Sequence, residues 1–420
     1  MNTSRLRHIL LSFTTGQGAL QAIQIVSGFV LVRYMDVHEY GVAAFLLAMQ
    51  AAASVLSDVG LRHGVIATLG ADSGNRAALG NLVRAAFYQR TFNVALVSVG
   101  VIAAFWVFHS RQGLPLPLAL TLAATIILTT HFNSWNMYFS LPWILSHNMT
   151  AYYRPQIIFQ AARLILIFVF IASGTLGVLT LAVANLLALL GNGIWYRHKS
   201  KPLMELPAKP SVADIKRLRR YIFPLAPAEI FWAVQDQIPV FLLTITGGTT
   251  NLAHVFALGR LGVVFQFFGA ATTTLAMPWL ARTSHEELAK RYAVVFGSAA
   301  ALAGAVVLGS VIIPDVYLWI LGDQYRHLYT ELRLAIGGAS ALFLYGILYH
   351  INNIRMWMWG WSGISYVVIV LGIQVACILL LDMSDTKNVL LMSLLVGTGA
   401  LSLQFLHTFL GFSLKNKMQR

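Results

Sequence analysis

The sequence predicts an all-α, polytopic membrane protein of about twelve transmembrane helices, six on either side of one basic linker. Three observations carry this prediction. Of 420 residues, 58% are hydrophobic and only 10% are charged, with a mean hydropathy of +0.71, whereas a soluble domain carries about 25% charged residues. The charge is also excluded from long runs: stretches such as 112–153, 164–196 and 356–381 hold no Asp, Glu, Lys or Arg. Finally, one stretch, 197–220 (RHKSKPLMELPAKPSVADIKRLRR), combines three prolines with eight basic and two acidic residues and reads as the one real linker.

A spanning helix needs about 20 apolar residues. Cut at its turn signals, the chain gives spans at 9–32, 40–59, 84–108, 115–141, 155–173, 176–196, 221–246, 252–280, 292–313, 331–351, 361–381 and 388–412. Ser173-Gly174-Thr175 and Gly247-Gly248 supply two of the tight connections, since glycine and serine clusters punctuate helices. The amino end, MNTSRLRHILLSF, runs directly into a long apolar segment with no small-residue cleavage site. A retained first helix is therefore expected rather than a signal peptide. The seventh span, YIFPLAPAEIFWAVQDQIPVFLLTIT, is unlike the others. Its prolines, Pro224, Pro227 and Pro239, predict a kinked or broken helix. Its two carboxylates, Glu229 and Asp236, stand seven apart, which on a helix puts them near one face, about two turns from each other.

Lysines and arginines set the orientation. With the amino terminus in the cytoplasm, 21 of the 29 fall on the inner side and 5 on the outer, while Arg90, Arg163 and Arg260 lie within spans. Both termini are expected in the cytoplasm. The linker then separates a lobe at 1–196 from a second lobe at 221–420. Six spans per lobe give both lobes the same orientation, so any repeat would be parallel. The linker itself reads as a solvated cytoplasmic loop obeying the positive-inside rule, with binding to anionic lipid headgroups as a second reading. The single cysteine, Cys377, excludes an internal disulfide and a cysteine-rich metal site.

Polar stripes mark the candidate site. Gln17, Gln21, Gln24 and Gly28 follow the spacing i, i+4, i+7, i+11, and Gln156, Gln160 and Arg163 repeat the start of it. Glu229 and Asp236 share their face with Trp232 nearby. Arg163 falls near mid-depth, and Arg260 about 12 Å from the outer end at the helical rise. Glutamines in membranes also serve as interhelical glue, at about 0.6 kcal/mol each. An arginine at depth needs an anion, and the candidates are Glu229, Asp236 or a substrate. Three in-span arginines against two carboxylates favour an anionic substrate. Arg90 lies close enough to the inner face to snorkel, and Arg33 and Arg62 sit at the two mouths. His131, Asn133 and Asn136 are thinner candidates for a polar path in the fourth span.

The sequence lacks a Walker loop, a dinucleotide fingerprint and an H-E-x-x-H motif. No nucleotide-binding domain powers the chain, so its energy must come from an ion gradient, a substrate gradient or partners. The longest outer loop, 314–330, is too short for the periplasmic domain of a typical membrane glycosyltransferase. A transporter is expected rather than an enzyme, with no nucleic-acid partner.

Several segments resemble one family. Arg33-Tyr34-Met35 with Glu39-Tyr40-Gly41, and Asp58-Val59-Gly60-Leu61, are similar to the loops after the first and second helices of polysaccharide-unit flippases of the Wzx type. The second half adds Pro224, Asp236, Phe256-Ala257-Leu258-Gly259-Arg260, Pro278, and Trp319-Ile320-Leu321-Gly322 followed by Tyr325. The resemblance covers most of the chain through short, degenerate motifs in a matching order. It implies the multidrug/oligosaccharidyl-lipid/polysaccharide (MOP) superfamily: two six-helix lobes in a V around a central cavity. Twelve spans speak against the fourteen-helix lipid II flippases.

The implied activity is alternating-access flipping of undecaprenyl-pyrophosphate-linked oligosaccharide units across the bacterial cytoplasmic (inner) membrane. These units would serve O-antigen, lipopolysaccharide or exopolysaccharide synthesis, with the pathway's polymerase and chain-length regulator as possible partners and membrane lipids around. No cofactor is implied beyond coupling to H+ or Na+. The family's cationic cavity carries over to Arg163, Arg260, Arg62 and Arg90. Sugar contacts would fall to Gln17, Gln21, Gln24, Gln160 and Trp232, and ion coupling to Glu229 or Asp236. The alternatives are a drug/cation antiporter of the same superfamily and an integral-membrane polysaccharide polymerase or glycosyltransferase.

Overall fold

The computed structural model describes residues 3–70, 75–224, 226–235, 237–281, 283 and 285–418, and no strand occurs among them. The chain forms two compact units, Met1–Ile245 and Thr246–Arg420. Eleven helices among the described residues are long and apolar enough to cross a membrane. The seventh expected span, 221–246, is instead described as two helices, Ala226–Gln235 and Ile238–Thr246, each too short to cross by itself.

The first unit runs through α1 (Thr3–Tyr34), α2 (Val37–Asp58), α3 (Leu61–Leu69), α4 (Arg76–Gln112), α5 (Leu116–Phe139), α6 (Leu141–Leu145), α7 (Met149–Ala172), α8 (Val178–Ser200), α9 (Val212–Ile222), α10 (Ala226–Gln235) and α11 (Ile238–Thr246). Short polar side chains start these helices. The Asp36 carboxylate accepts the His38 and Glu39 backbone N–H groups at 2.8 and 3.4 Å, and Asn75 and Asn148 do the same for α4 and α7. Such caps contribute about 1 kcal/mol each. Glu39 reaches further: its carboxylate accepts the Val178 N–H at 2.8 Å, so a side chain of α2 closes the start of α8. The turn after α2 needs two left-handed residues, Val59 (φ 43°) and Gly60 (φ 77°). That is why the Asp58-Val59-Gly60 sequence carries a glycine.

The 197–220 linker departs from the expected solvated loop. Helix α8 continues to Ser200, a short turn follows, and α9 then forms an amphipathic helix capped by Ser211. Leu218 and Ile222 of α9 are buried against Leu61, Val65 and Leu82 in the core of this unit. Polar contacts tie the linker down: Arg217 donates to the Thr68 carbonyl at 3.0 Å, and Arg84 to the Ala208 carbonyl at 2.9 Å. The Glu205 N–H donates to the Arg76 carbonyl at 3.1 Å. The physical reason is the apolar spacing Ile215, Leu218, Ile222, which gives the charged segment one face to bury.

The break between α10 and α11 agrees with the proline reading. Pro227 and Pro239 sit in the first turns of these two helices, where a missing N–H removes no hydrogen bond.

The second unit comprises α12 (Thr249–Leu261), α13 (Val263–Ala271), α14 (Met277–Ala281), α15 (His285–Ile312), α16 (Pro314–Leu321), α17 (Tyr329–Ile354), α18 (Ser362–Leu380) and α19 (Thr386–Met418). The expected continuous span 252–280 is instead interrupted at Gly262 and again by a π-helical turn at Thr272–Ala276. The central pair is α17 and α19. A Cβ on Gly397 would lie 3.1 Å from the Ala341 Cβ and 3.2 Å from the Gly338 carbonyl, so small residues let the two backbones approach. Polar side chains then join them. Buried Asn352 donates to the Gln404 side chain at 2.9 Å and accepts from the Thr408 hydroxyl at 3.0 Å. Cys377 is buried in α18, a packing residue.

Candidate functional site

Within the first unit, α1, α2, α5, α7 and α8 enclose a polar cavity of about 310 Å³. Its wall carries Gln24 from α1, Gln50 and Ser54 from α2, Thr129, Thr130 and Asn133 from α5, Gln160 and Arg163 from α7, and Asn185 from α8. Among the described residues on this wall, the one charged group is the Arg163 guanidinium. Arg163 donates to the Ser27 hydroxyl at 3.1 Å, and the Asn133 amide to the Ser54 hydroxyl at 2.9 Å. A cation surrounded by amides and hydroxyls can hold an anion and hydrogen-bond to a polyhydroxylated ligand.

The structure thus brings Gln24, Gln160 and Arg163 together from two helices. It does not bring Gln17 or Gln21 to this wall. Gln17 lies one turn or more away on α1, where its side chain accepts the Tyr153 hydroxyl at 3.3 Å. Gln21 is half-buried between the two. Arg62, on α3, donates to the Tyr152 hydroxyl at 3.5 Å. It stands beside a tyrosine cluster in which the Gln156 amide donates to the Tyr196 hydroxyl at 3.0 Å.

Arg90 is a correction. It does not snorkel: its side chain is 0% exposed and lies 3.5 Å from the Asp58 carboxylate. It also donates to the Met137 sulfur and, at 3.4 Å, to the Ser54 carbonyl. The Tyr138 hydroxyl donates to the same Asp58 at 2.8 Å. Arg90 does not line the cavity; it belongs to a buried structural lock between α2, α4 and α5. Asp58, at the last turn of α2, supplies the anion that this arginine needs, and only the fold brings the two together.

The remaining candidates stand elsewhere. Glu229 and Trp232 lie on α10, Glu229 half-buried and Trp232 edge-on to Phe231. Asp236 lies outside the described residues. Arg260 is in the second unit, at the end of α12 beside the Gly262 break, and its Nε is buried without a hydrogen-bond partner among the described residues. It does not line that unit's own cavity of about 360 Å³, whose polar groups include Gln266, Thr273 and His350.

Sequence reasoning missed Gln50, Ser54 and Asn185. The signal was present: Gln50 and Ser54 stand four apart on one helical face of the second span, and Asn185 is the one amide in the middle of the sixth. His131 packs edge-on against Phe87, Phe132 and Trp135 as a core residue.

No family model and no curated protein matches this sequence. Solved structures do. An inward closed conformation of the lipid II flippase MurJ aligns with a TM-score of 0.73 at 9% identity, over 94% of this chain and 87% of that one. An inward-facing multidrug resistance MATE family transporter of the MOP superfamily aligns with a TM-score of 0.64 at 13% identity, over 95% of each chain. A MOP superfamily transporter from Pyrococcus furiosus, described as having a binding pocket of reverse polarity that suggests a different function, aligns at 0.52 and 15% identity, over 98% of this chain and 95% of that one. The fold is therefore that of MOP-type membrane transporters.

Proposed function

We propose that this chain flips an anionic, lipid-linked oligosaccharide, an undecaprenyl-pyrophosphate-linked repeat unit, across the bacterial cytoplasmic membrane by alternating access. The observation that carries the reading is the cavity wall around Arg163, which among the described residues gathers one guanidinium and five amides. A guanidinium in a low-dielectric wall suits a phosphate, because its donors match phosphate oxygens in pairs. The amides suit sugar hydroxyls. The likeness to a lipid II flippase supports a lipid-linked substrate. The likeness to MATE transporters keeps the drug/cation antiporter as the rival, but a cationic drug gains nothing from the Arg163 guanidinium on this wall.

In this scheme Arg260, on α12, is a further cation for the substrate during transport. Binding of a proton or sodium ion at Glu229 or Asp236 biases one arrangement of the transporter, which requires different ion affinity in the two states.

The test is export in a strain that depends on this chain. Arg163→Ala should leave the protein inserted in the membrane but trap complete lipid-linked units on the cytoplasmic side, while Arg163→Lys retains part of the export. Full export by Arg163→Ala would overturn the reading. Unchanged lipid-linked sugars together with altered drug susceptibility in the deletion strain would return the antiporter to first place.

A further inference from the structure

A second feature of the first unit is used by none of the steps above. Two cavities, about 520 and 360 Å³, lie between α2, α4 and the α9–α11 segment, and they adjoin, sharing Leu56 and Val97 as wall. Together they form a groove whose walls are almost entirely apolar. On α4 the lining runs through Val97, Gly100, Ala104 and Val107, one helical face. Gly100 opens onto free space, with no atom within 4 Å of where a Cβ would stand.

The polar groups of the first cavity gather at one end, and they are linked. The Asn93 amide donates to the Ser57 carbonyl at 3.0 Å, the Gln89 amide to Asn93 at 3.0 Å, and the Arg219 Nε to the Gln89 oxygen at 2.8 Å. This relay holds an exposed arginine, through its Nε, at the mouth of an apolar groove. Farther along, Thr244 is buried and its hydroxyl donates to the Val240 carbonyl.

Length chooses the occupant. From Gln89 to Val107 the groove follows α4 for about 27 Å at the helical rise. The hydrocarbon core of a bilayer is about 30 Å thick and is shared by two leaflets, so the chain of an ordinary phospholipid covers only about half of it. A groove of this length suits one chain longer than that.

We infer that this groove binds the single long hydrocarbon chain of a polyisoprenyl-class lipid, with its phosphate head on Arg219. The inference rests on the proposed lipid-linked substrate, whose tail the groove would hold on loading, with the phosphate on Arg219 before it passes to Arg163. Arginine recognises phosphate oxygens in pairs, and burying each CH2 of the chain is favourable by about 0.8 kcal/mol.

The experiment is photo-crosslinking of the purified full chain in nanodiscs, with a long polyisoprenyl phosphate carrying a diazirine in its tail. Labelled peptides are read by mass spectrometry. Labelling is expected on α4 and α10, at least tenfold weaker with farnesyl phosphate, which has the same head and a short tail. Gly100→Phe, and independently Val234→Trp on the opposite wall, should each abolish it. Arg219→Gln should weaken capture of the phosphate at least fivefold and leave capture of the uncharged polyisoprenol unchanged. Equal labelling by a diazirine-bearing phosphatidylglycerol, or labelling that survives both groove-filling variants, would overturn the inference. Because the readout is binding, it separates from the transport reading. Arg163-dependent export without groove labelling refutes the groove alone, and groove labelling without export refutes the transport reading.

Discussion

Replacing Asp58 with Asn separates a structural arginine from a transport arginine. The change keeps the shape of the side chain and an acceptor for the Tyr138 hydroxyl, but removes the charge that faces Arg90. The pair is 3.5 Å apart and the arginine is fully buried. At an effective dielectric near 20, Coulomb's law gives about 5 kcal/mol for two unit charges at that separation. Breaking buried pairs by removing one partner typically costs 3–5 kcal/mol, because the other charge stays buried and uncompensated. Asp58→Asn should therefore destabilise the protein by about 4 kcal/mol. Arg90→Met should cost less, since Asp58 keeps the Tyr138 hydroxyl and the Arg62 backbone N–H. The double variant should recover much of the loss, because it buries no charge. The assay is thermal unfolding of the four proteins in detergent, read by size-exclusion recovery, alongside export by whatever fraction remains folded. A wild-type melting profile for Asp58→Asn combined with lost export would refute the argument and return Arg90 to the transport path.

Three further changes test the packing. Gly80→Ala would set a Cβ 1.8 Å from the Glu205 carbonyl oxygen, a backbone atom that cannot swing aside; overpacking of this kind costs about 1–3 kcal/mol, and faster amide exchange over 201–212 should report the detached linker. Asn352→Leu removes the partner of the Gln404 side-chain oxygen from a buried network between α17 and α19; leaving that group unsatisfied should cost about 1–3 kcal/mol, seen as a lower unfolding midpoint. Gly397→Val forces α19 away from Ala341 and Gly338 and should lower that midpoint at least as far, whereas Gly304→Val on α15, with no atom within 4 Å of its Cβ, should leave it unchanged.

The spans were legible in the sequence because the bilayer imposes one rule on all of them, an apolar run of fixed length. The broken seventh span was legible because proline acts locally. What was not legible is what depends on a second helix. The interruption at Gly262 has no proline to announce it; a Cβ there would meet Ala339 of α17 at 3.2 Å, a contact made only in the fold. Helix α9 hid behind its charges and prolines, although its apolar spacing was on the page. In the candidate site, the i, i+4, i+7 stripes predicted which face of α1 and α7 is polar, and Gln24, Gln160 and Arg163 do share a wall. The same stripes could not say where along the helix the wall ends, so Gln17 is found on Tyr153 instead.

Depth along a span is therefore a poor guide to what an arginine does; the anion it meets decides. Arg90 and Arg163 both lie within spans, yet one meets a carboxylate from a neighbouring helix end and the other donates to the Ser27 hydroxyl beside a cavity. Counting charges per span gave a surplus of three arginines over two carboxylates, and Asp58 removes that surplus. The case for an anionic substrate survives because it does not depend on the count. It depends on placement: the field inside a small, low-dielectric cavity is set by the few charges on its own wall, and a carboxylate held against Arg90 does not stand on the wall that Arg163 lines.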